Sequence, residues 1–309
     1  HIIPLLSLRD LALARPVCTF FEAYWQDKFS KNVLPLRVGN DVATINDVMG
    51  VVEILSRRRE YTKLNPFVVL LGKGEHQINS ITWTVDQYGT CIEHSVIAAE
   101  YDAIADQYGN ARSEPTPLGI TCSNIAFVGT GKNTTTILGG FRIENVVNIT
   151  FKEMTVTNTS QEDTGIYMYN AKVELIDVAL KGCDGVGLHI PQAVSTATPL
   201  PTIVVATRCE FANCIQDGAV VFGSLTSATF KNCVFHDNNG AGFFVANGAT
   251  IHLHGEATAI HSNGQFGVWA ADSGKVFIHL PSHHNTFYNN KREDRKTTQG
   301  GTITNIEDD

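Results

Sequence analysis

The sequence predicts an all-β solenoid, and three observations carry that expectation. The phrase "FHDNNGAGFFV" at residues 235–245 returns nearly unchanged as "IHSNGQFGVWA" at 260–270. The recurrence extends in both directions with a period of 24 to 27 residues, apart from one 31-residue step that contains the insertion "PQAVSTATPLP". Between these phrases apolar residues alternate with polar ones, the period-2 signature of strands with one buried face. A short strand, a corner and another short strand cannot bury that face alone, whereas stacked copies build a continuous core.

The columns justify each element in turn. At the corner Leu180, Phe211, Phe235, Ile260 and Phe287 align, followed by Cys183, Cys214, Asn238, Asn263 and Asn290, then by Gly187, Gly218, Gly242 and Gly267. Asn suits a corner because it tolerates left-handed backbone and its side chains can bond along a stack. Gly at the next strand's start relieves crowding. Upstream, "NITFKEMTV" repeats as "AKVELIDVAL", placing Ile149 over Val173, Phe151 over Leu175, Met154 over Val178 and Val156 over Leu180. Val204, Ala228, Leu253 and Leu280 continue the first of these columns, and Cys209 and Cys233 the third. Cys183, Cys209, Cys214 and Cys233 therefore read as small buried thiols in the ladders.

Ahead of the repeats, "DVATINDVMGVVEILSRRR" has an amphipathic helical pattern, and "FVVLLGKGEHQI" reads as strand, Gly turn and strand. With these features, roughly residues 40 to 309 resemble the right-handed parallel β-helix of the pectin-lyase-like superfamily. The resemblance implies an N-terminal helix that covers the first coil, whose sheet edges and apolar end would otherwise be open. Residues 39–309 are expected to form that domain and residues 1–38 a separate helical segment.

In the first segment Pro16 interrupts the helical spacing of Leu6, Leu8, Leu11, Val17, Cys18, Phe21 and Trp25 and starts a second helix. The stretch "LLSLRDLALARPVCTFF" resembles the latter half of an F-box through Leu6, Ser7, Asp10, Leu11, Val17, Cys18 and Phe21. That resemblance implies binding to a Skp-family adaptor through Leu6, Leu8, Leu11, Val17 and Phe21. It also implies a β-helix that serves as the substrate receptor of a ubiquitin ligase.

Composition narrows the partners. Charged residues are 17% of the chain, and 31 acidic against 23 basic residues leave a net charge of -8, poorly suited to neutralising nucleic-acid phosphates. No apolar run approaches the roughly eighteen residues of a membrane span, so neither nucleic acid nor membrane is expected. Seven cysteines without tight CxxC spacing argue against a disulfide framework and a zinc site, and for a reducing cytoplasmic or nuclear compartment; a virion is the alternative. No cofactor or metal is expected.

Candidate chemistry on such a wall is of two kinds. A polysaccharide lyase or glycoside hydrolase needs paired carboxylates, or a base with a neutralising cation. Asp184, His189, Asp217 and His236 are the candidates for it, although the aspartates fall at different repeat offsets and no catalytic group is assigned. His252 and His279 read as equivalent outward positions in adjacent coils, with His254 nearby. The other kind is a contact surface. Two residues after the repeat glycine, Tyr167, His189, Val220, Phe244 and Trp269 form a column between two apolar columns that should point inward, so this one should point outward. The expected function is protein recognition or self-association through this stripe, with a structural protein such as a virion component and a carbohydrate-active enzyme as alternatives.

Overall fold

The computed structural model describes residues 35–56, 60–78, 81–85, 91–95, 117–160, 163–192, 200–279 and 286–306. The F-box-like residues Leu6, Leu8, Leu11, Val17 and Phe21 lie outside these. The strands stack into the predicted all-β parallel solenoid, but each coil contributes three strands where the repeat suggested two.

The first sheet rises from Leu36–Arg37 and Phe67–Leu70 through Ile125–Val128, Thr202–Thr207, Thr226–Lys231 and Thr250–His254 to Lys275–His279 and Thr302–Ile306. The second holds Gly74–Gln77, Thr135–Leu138, Glu210–Ala212, Val234–His236, Ala259–His261 and Phe287–Tyr288. Two long strands, Ile149–Thr157 and Lys172–Lys181, run through the bend and belong to both. The third runs from Leu118–Ile120 and Phe141–Glu144 through Ile166–Tyr169, Leu188–Ile190, Ala219–Phe222 and Phe243–Ala246 to Val268–Ala270 and Arg295–Thr297. An antiparallel pair, Ile81–Val85 with Cys91–Ser95, stands apart from these sheets.

Alternation sets the packing. In Thr202–Thr207 every second residue is buried, and the inward residues stack coil on coil. Phe127 lies on Phe151 at 5.4 Å, and Phe211 on Phe235 at 4.5 Å with planes 6° apart. Cys183, Cys209, Cys214 and Cys233 are buried free thiols, as the columns predicted. The hydrogen bond that the Cys183 thiol donates to Cys214, together with burial, raises the Cys183 pKa, while burial is the main cause raising that of Cys233.

The bend missed in the sequence is one residue wide. Glu153, Asp177, Arg208, Asn232 and Gly255 occupy successive coils there, all with positive φ, and turn the strand from the first sheet into the second. A single left-handed residue turns the strand by adding one outward position, so two outward residues run together there and the apolar alternation resumes beyond them. The corner between second and third sheets is the predicted Asn column. Asn238 and Asn263 are 1% exposed and joined side chain to side chain at 3.0 Å.

The register agrees with the sequence columns except at one place. Ile149, Val173, Val204 and Ala228 do align, but Ile251 and then Val276 continue that column. Leu253 stands two residues further on, between Phe230 and Ile278, and Leu280 lies outside the described residues.

The expected helix is Asp47–Ser56. The Asp47 carboxylate accepts from the N–H and hydroxyl of Thr44, one half of a capping box. Val48, Val51 and Val52 join Leu36 and Val69 in the core, so the helix covers the solenoid's first coil. The solenoid starts earlier than residue 39, because Leu36 and Arg37 already pair with Val69 and Leu70.

Candidate functional site

The outward face of the third sheet carries the aromatic stripe. Tyr167, His189, Val220, Phe244 and Trp269 pair in one register through five coils. Ile166, Leu188, Ala219, Phe243 and Val268 on one side, and Met168, Ile190, Val221, Val245 and Ala270 on the other, are buried, so period-2 geometry sends the middle column out. Four of its five members are partly exposed, whereas Val220 is only 6% exposed.

Phe222 accounts for that exception. It follows Val220 by two residues on the same face, and its ring contacts His189 at 6.3 Å and Phe244 at 5.4 Å. The ring thus bridges the gap that a small residue leaves in the stripe. The repeat columns do not include Phe222; its sequence signal is the same period-2 alternation along Ala219–Phe222. The chain of rings continues from Tyr167 to His189 at 5.6 Å, from Phe244 to Trp269 at 4.6 Å, and from Trp269 to Phe266 at 5.5 Å.

Cations close both ends. Arg142 lies over Tyr167 at 5.1 Å, while Arg292 and Lys296 lie over Phe266 at 5.6 and 5.9 Å. Burial raises the Tyr167 pKa against the opposing pull of Arg142, and burial lowers that of His189, favouring a neutral phenol and a neutral imidazole. The Trp269 indole N–H is held by Thr298 Oγ1 at 3.0 Å, which fixes the ring's tilt. Most of the insertion after Ile190 lies outside the described residues, but Gln192 at its start accepts from Asn247 at 2.9 Å.

The enzymatic candidates are dispersed. His189 belongs to the stripe, His236 faces out from the second sheet, and Asp184 and Asp217 sit in the corner between those sheets. Asp217 accepts from the Ala241 N–H at 2.5 Å, and burial raises its pKa above the usual 3.8. A raised carboxyl pKa means that the folded state loses stability as pH climbs through it. Asp217→Asn keeps the acceptor and removes the charge, so it is expected to stabilise the protein at pH 7 by roughly 1 kcal/mol. The gain should vanish below the ordinary carboxylate range; unfolding followed at both pH values checks this.

His236 instead joins two residues the repeat did not single out. Lys181 Nζ reaches Glu210 Oε1 at 2.9 Å, His236 Nε2 lies 3.2 Å from the same oxygen, and His236 Nδ1 lies 2.7 Å from Asp237 Oδ2. Burial pushes the Glu210 pKa up, but hydrogen bonds from Lys181 and His236 outweigh it and hold the group below its usual value. Glu210 and Lys181 fall at different repeat offsets, so column reading could not gather them.

A third cluster lies on the first sheet's outward face. His254, not His252, is the register partner of His279; His252 is opposite Phe277. The nitrogens that His252, His254 and His279 can offer lie within 4.8 Å of one another.

Comparison with known proteins bears on the frame that carries these faces. Residues 139–307 match the family model described as right handed beta helix region. No curated protein matches the sequence. Among solved structures, the mannuronan C-5 epimerase A-module of Azotobacter vinelandii is 14% identical, with 77% of this chain and 67% of that chain covered and a TM-score of 0.46. A pectin methylesterase in complex with a hexasaccharide is 14% identical over 85% of this chain and 80% of its own, with a TM-score of 0.45. The ORF18 protein of Geobacillus virus E2 is 10% identical over 93% of this chain and 63% of its own, with a TM-score of 0.45.

Proposed function

The chain belongs to the right-handed β-helix family, and from that frame we propose that it is a protein-recognition solenoid whose third-sheet face binds a protein partner. The observation that supports this is the partly exposed run of rings from Tyr167 to Trp269, set on an otherwise regular wall, with Arg142 over Tyr167 at one end and Lys296 over Phe266, next to Trp269, at the other. Aromatic side chains offer large, rigid contact area at little entropic cost, and they dominate the energetics of protein interfaces.

Phe244→Ala and Trp269→Ala are each expected to weaken association by about 2 kcal/mol or more, roughly 30-fold, while unfolding stays within about 1 kcal/mol of the parent. Pull-down of parent and variants, with sedimentation of the purified chain to separate self-association, checks this. A loss of about 3 to 5 kcal/mol in stability would instead make the rings part of the core. Unchanged binding and unchanged stability would remove the function from the stripe.

The finer form of this reading is substrate receptor of an F-box, Skp–cullin-type ubiquitin ligase. It is supported by the match at Leu6, Ser7, Asp10, Leu11, Val17, Cys18 and Phe21. A purified Skp-family adaptor that forms no complex with the chain would refute that form and leave the stripe reading standing.

The network on the second sheet favours a second reading, a carbohydrate-active enzyme. An ionised Glu210 beside Lys181 pairs a base with a cation, the combination that proton abstraction next to a uronic carboxylate requires. Turnover of an acidic polysaccharide that Glu210→Gln abolishes would carry this reading; no turnover by the parent would end it.

A further inference from the structure

The three histidines of the first sheet have no part in either reading. His252 and His254 alternate on one strand and so project from the same face, and His279 stands opposite His254 on the next. His252 Nδ1 lies 3.0 Å from His279 Nε2, and the rings of His254 and His279 stack at 3.9 Å. All three side chains are half-buried, which restricts their motion but leaves their outer edges open to solvent.

We propose that His252, His254 and His279 form a binding site for a borderline transition-metal ion, with Zn²⁺ as the occupant. The donor set decides the class of ion. Three imidazoles without a carboxylate suit Zn²⁺, Ni²⁺ or Cu²⁺ and are a poor site for Ca²⁺ or Mg²⁺, which demand oxygen. Zn–N bonds of about 2.0–2.1 Å at tetrahedral angles place ligand nitrogens roughly 3.3–3.4 Å apart. The observed nitrogens, 3.0 Å apart between His252 Nδ1 and His279 Nε2 and all within 4.8 Å, bracket that spacing. The stacked rings of His254 and His279 are 17° from parallel, so ligation requires them to fan apart about their side-chain bonds. Three protein ligands leave a fourth position open, which water takes in the free protein. The ion would clip Thr250–His254 to Lys275–His279, adding a cross-coil tie outside the core.

Binding to the untagged chain, stripped with chelator and titrated with Zn²⁺ by calorimetry, tests the site, with Co²⁺ absorption as the report on nitrogen ligation. One ion per chain is expected, with a rise in the thermal midpoint. His252→Asn, His254→Asn and His279→Asn should each weaken binding by more than the ~10–100-fold that loss of an outer-shell partner costs. His236→Asn, on the second sheet, should leave it unchanged. Circular dichroism of the apo variants identifies any that fail to fold, and the remaining substitutions then decide. Absence of saturable binding overturns the proposal. So does Zn²⁺ binding that survives all three substitutions, since the ion would then sit elsewhere on the chain.

Discussion

Gly242→Ala is expected to destabilise the protein by about 3 kcal/mol or more, the upper end of what overpacking costs. A methyl at that position would lie 2.6 Å from the carbonyl oxygen of Gly267 and 2.7 Å from Ile260 Cγ2. The same approach recurs down the column: a methyl on Gly187 would meet Gly218 O at 2.6 Å, and one on Gly218 would meet Gly242 O at 2.5 Å. None of these three has positive φ, so glycine is needed there for space and not for backbone conformation. The obstacle is the next coil's main chain, which cannot swing aside as a side chain would. Relief therefore requires the coils to part, at the expense of hydrogen bonds on either side.

Gly119 supplies the control. It pairs with Arg142 in the column of the aromatic stripe, and a methyl there meets nothing within 4 Å. Gly119→Ala should leave stability within about 1 kcal/mol of the parent or raise it slightly, since alanine restricts the unfolded chain. Denaturant unfolding of the two variants side by side checks the contrast. Equal effects would mean that the coils do not close as tightly at Gly242 as the structure has them.

The same geometry explains what could be read from the sequence. Glycine and asparagine columns are legible because main-chain crowding and corner hydrogen bonding restrict those positions to few residue types. Alternation shows which face of a strand is buried, but it does not fix the register: a slip of two residues leaves every side chain on its own face. Leu253 in the place of Ile251, and His252 in the place of His254 opposite His279, are slips of this kind. The left-handed bend is hard to read because its mark is two outward residues in succession, such as Lys152 and Glu153, which is also what the end of a strand looks like. The aromatic stripe could be found because apolar columns flank it on both sides. The Lys181–Glu210–His236 network could not, because Glu210 stands two residues ahead of the column that Lys181 and His236 share, and Ala212 separates those two along it.

Asn263→Ala is expected to cost about 3 kcal/mol or more, because it breaks a hydrogen-bonded chain whose members depend on one another. Each asparagine serves the coil before it in the same way. The Asn263 Oδ1 accepts from the Asn238 N–H at 3.3 Å and from Asn238 Nδ2 at 3.0 Å, while Asn263 Nδ2 donates to Phe235 O at 3.2 Å. Asn290 repeats the pattern, with its Oδ1 accepting from the Asn263 N–H and its Nδ2 donating to Ile260 O. Alanine at 263 strips the buried Asn238 of its acceptor and Phe235 of this donor, and each uncompensated group costs about 1–3 kcal/mol. Asn290 is less enclosed, so solvent can replace part of what Asn290→Ala removes, and that variant should lose clearly less. Asn263→Asp keeps the acceptor but buries a carboxylate among carbonyl oxygens. Its folded-state pKa must rise, so its deficit should be large at neutral pH and shrink as pH falls toward the ordinary carboxylate range. Thermal unfolding of the three variants across pH separates the contributions. Equal losses for Asn263→Ala and Asn290→Ala would show that the column is a row of independent turns, with no cooperation between coils.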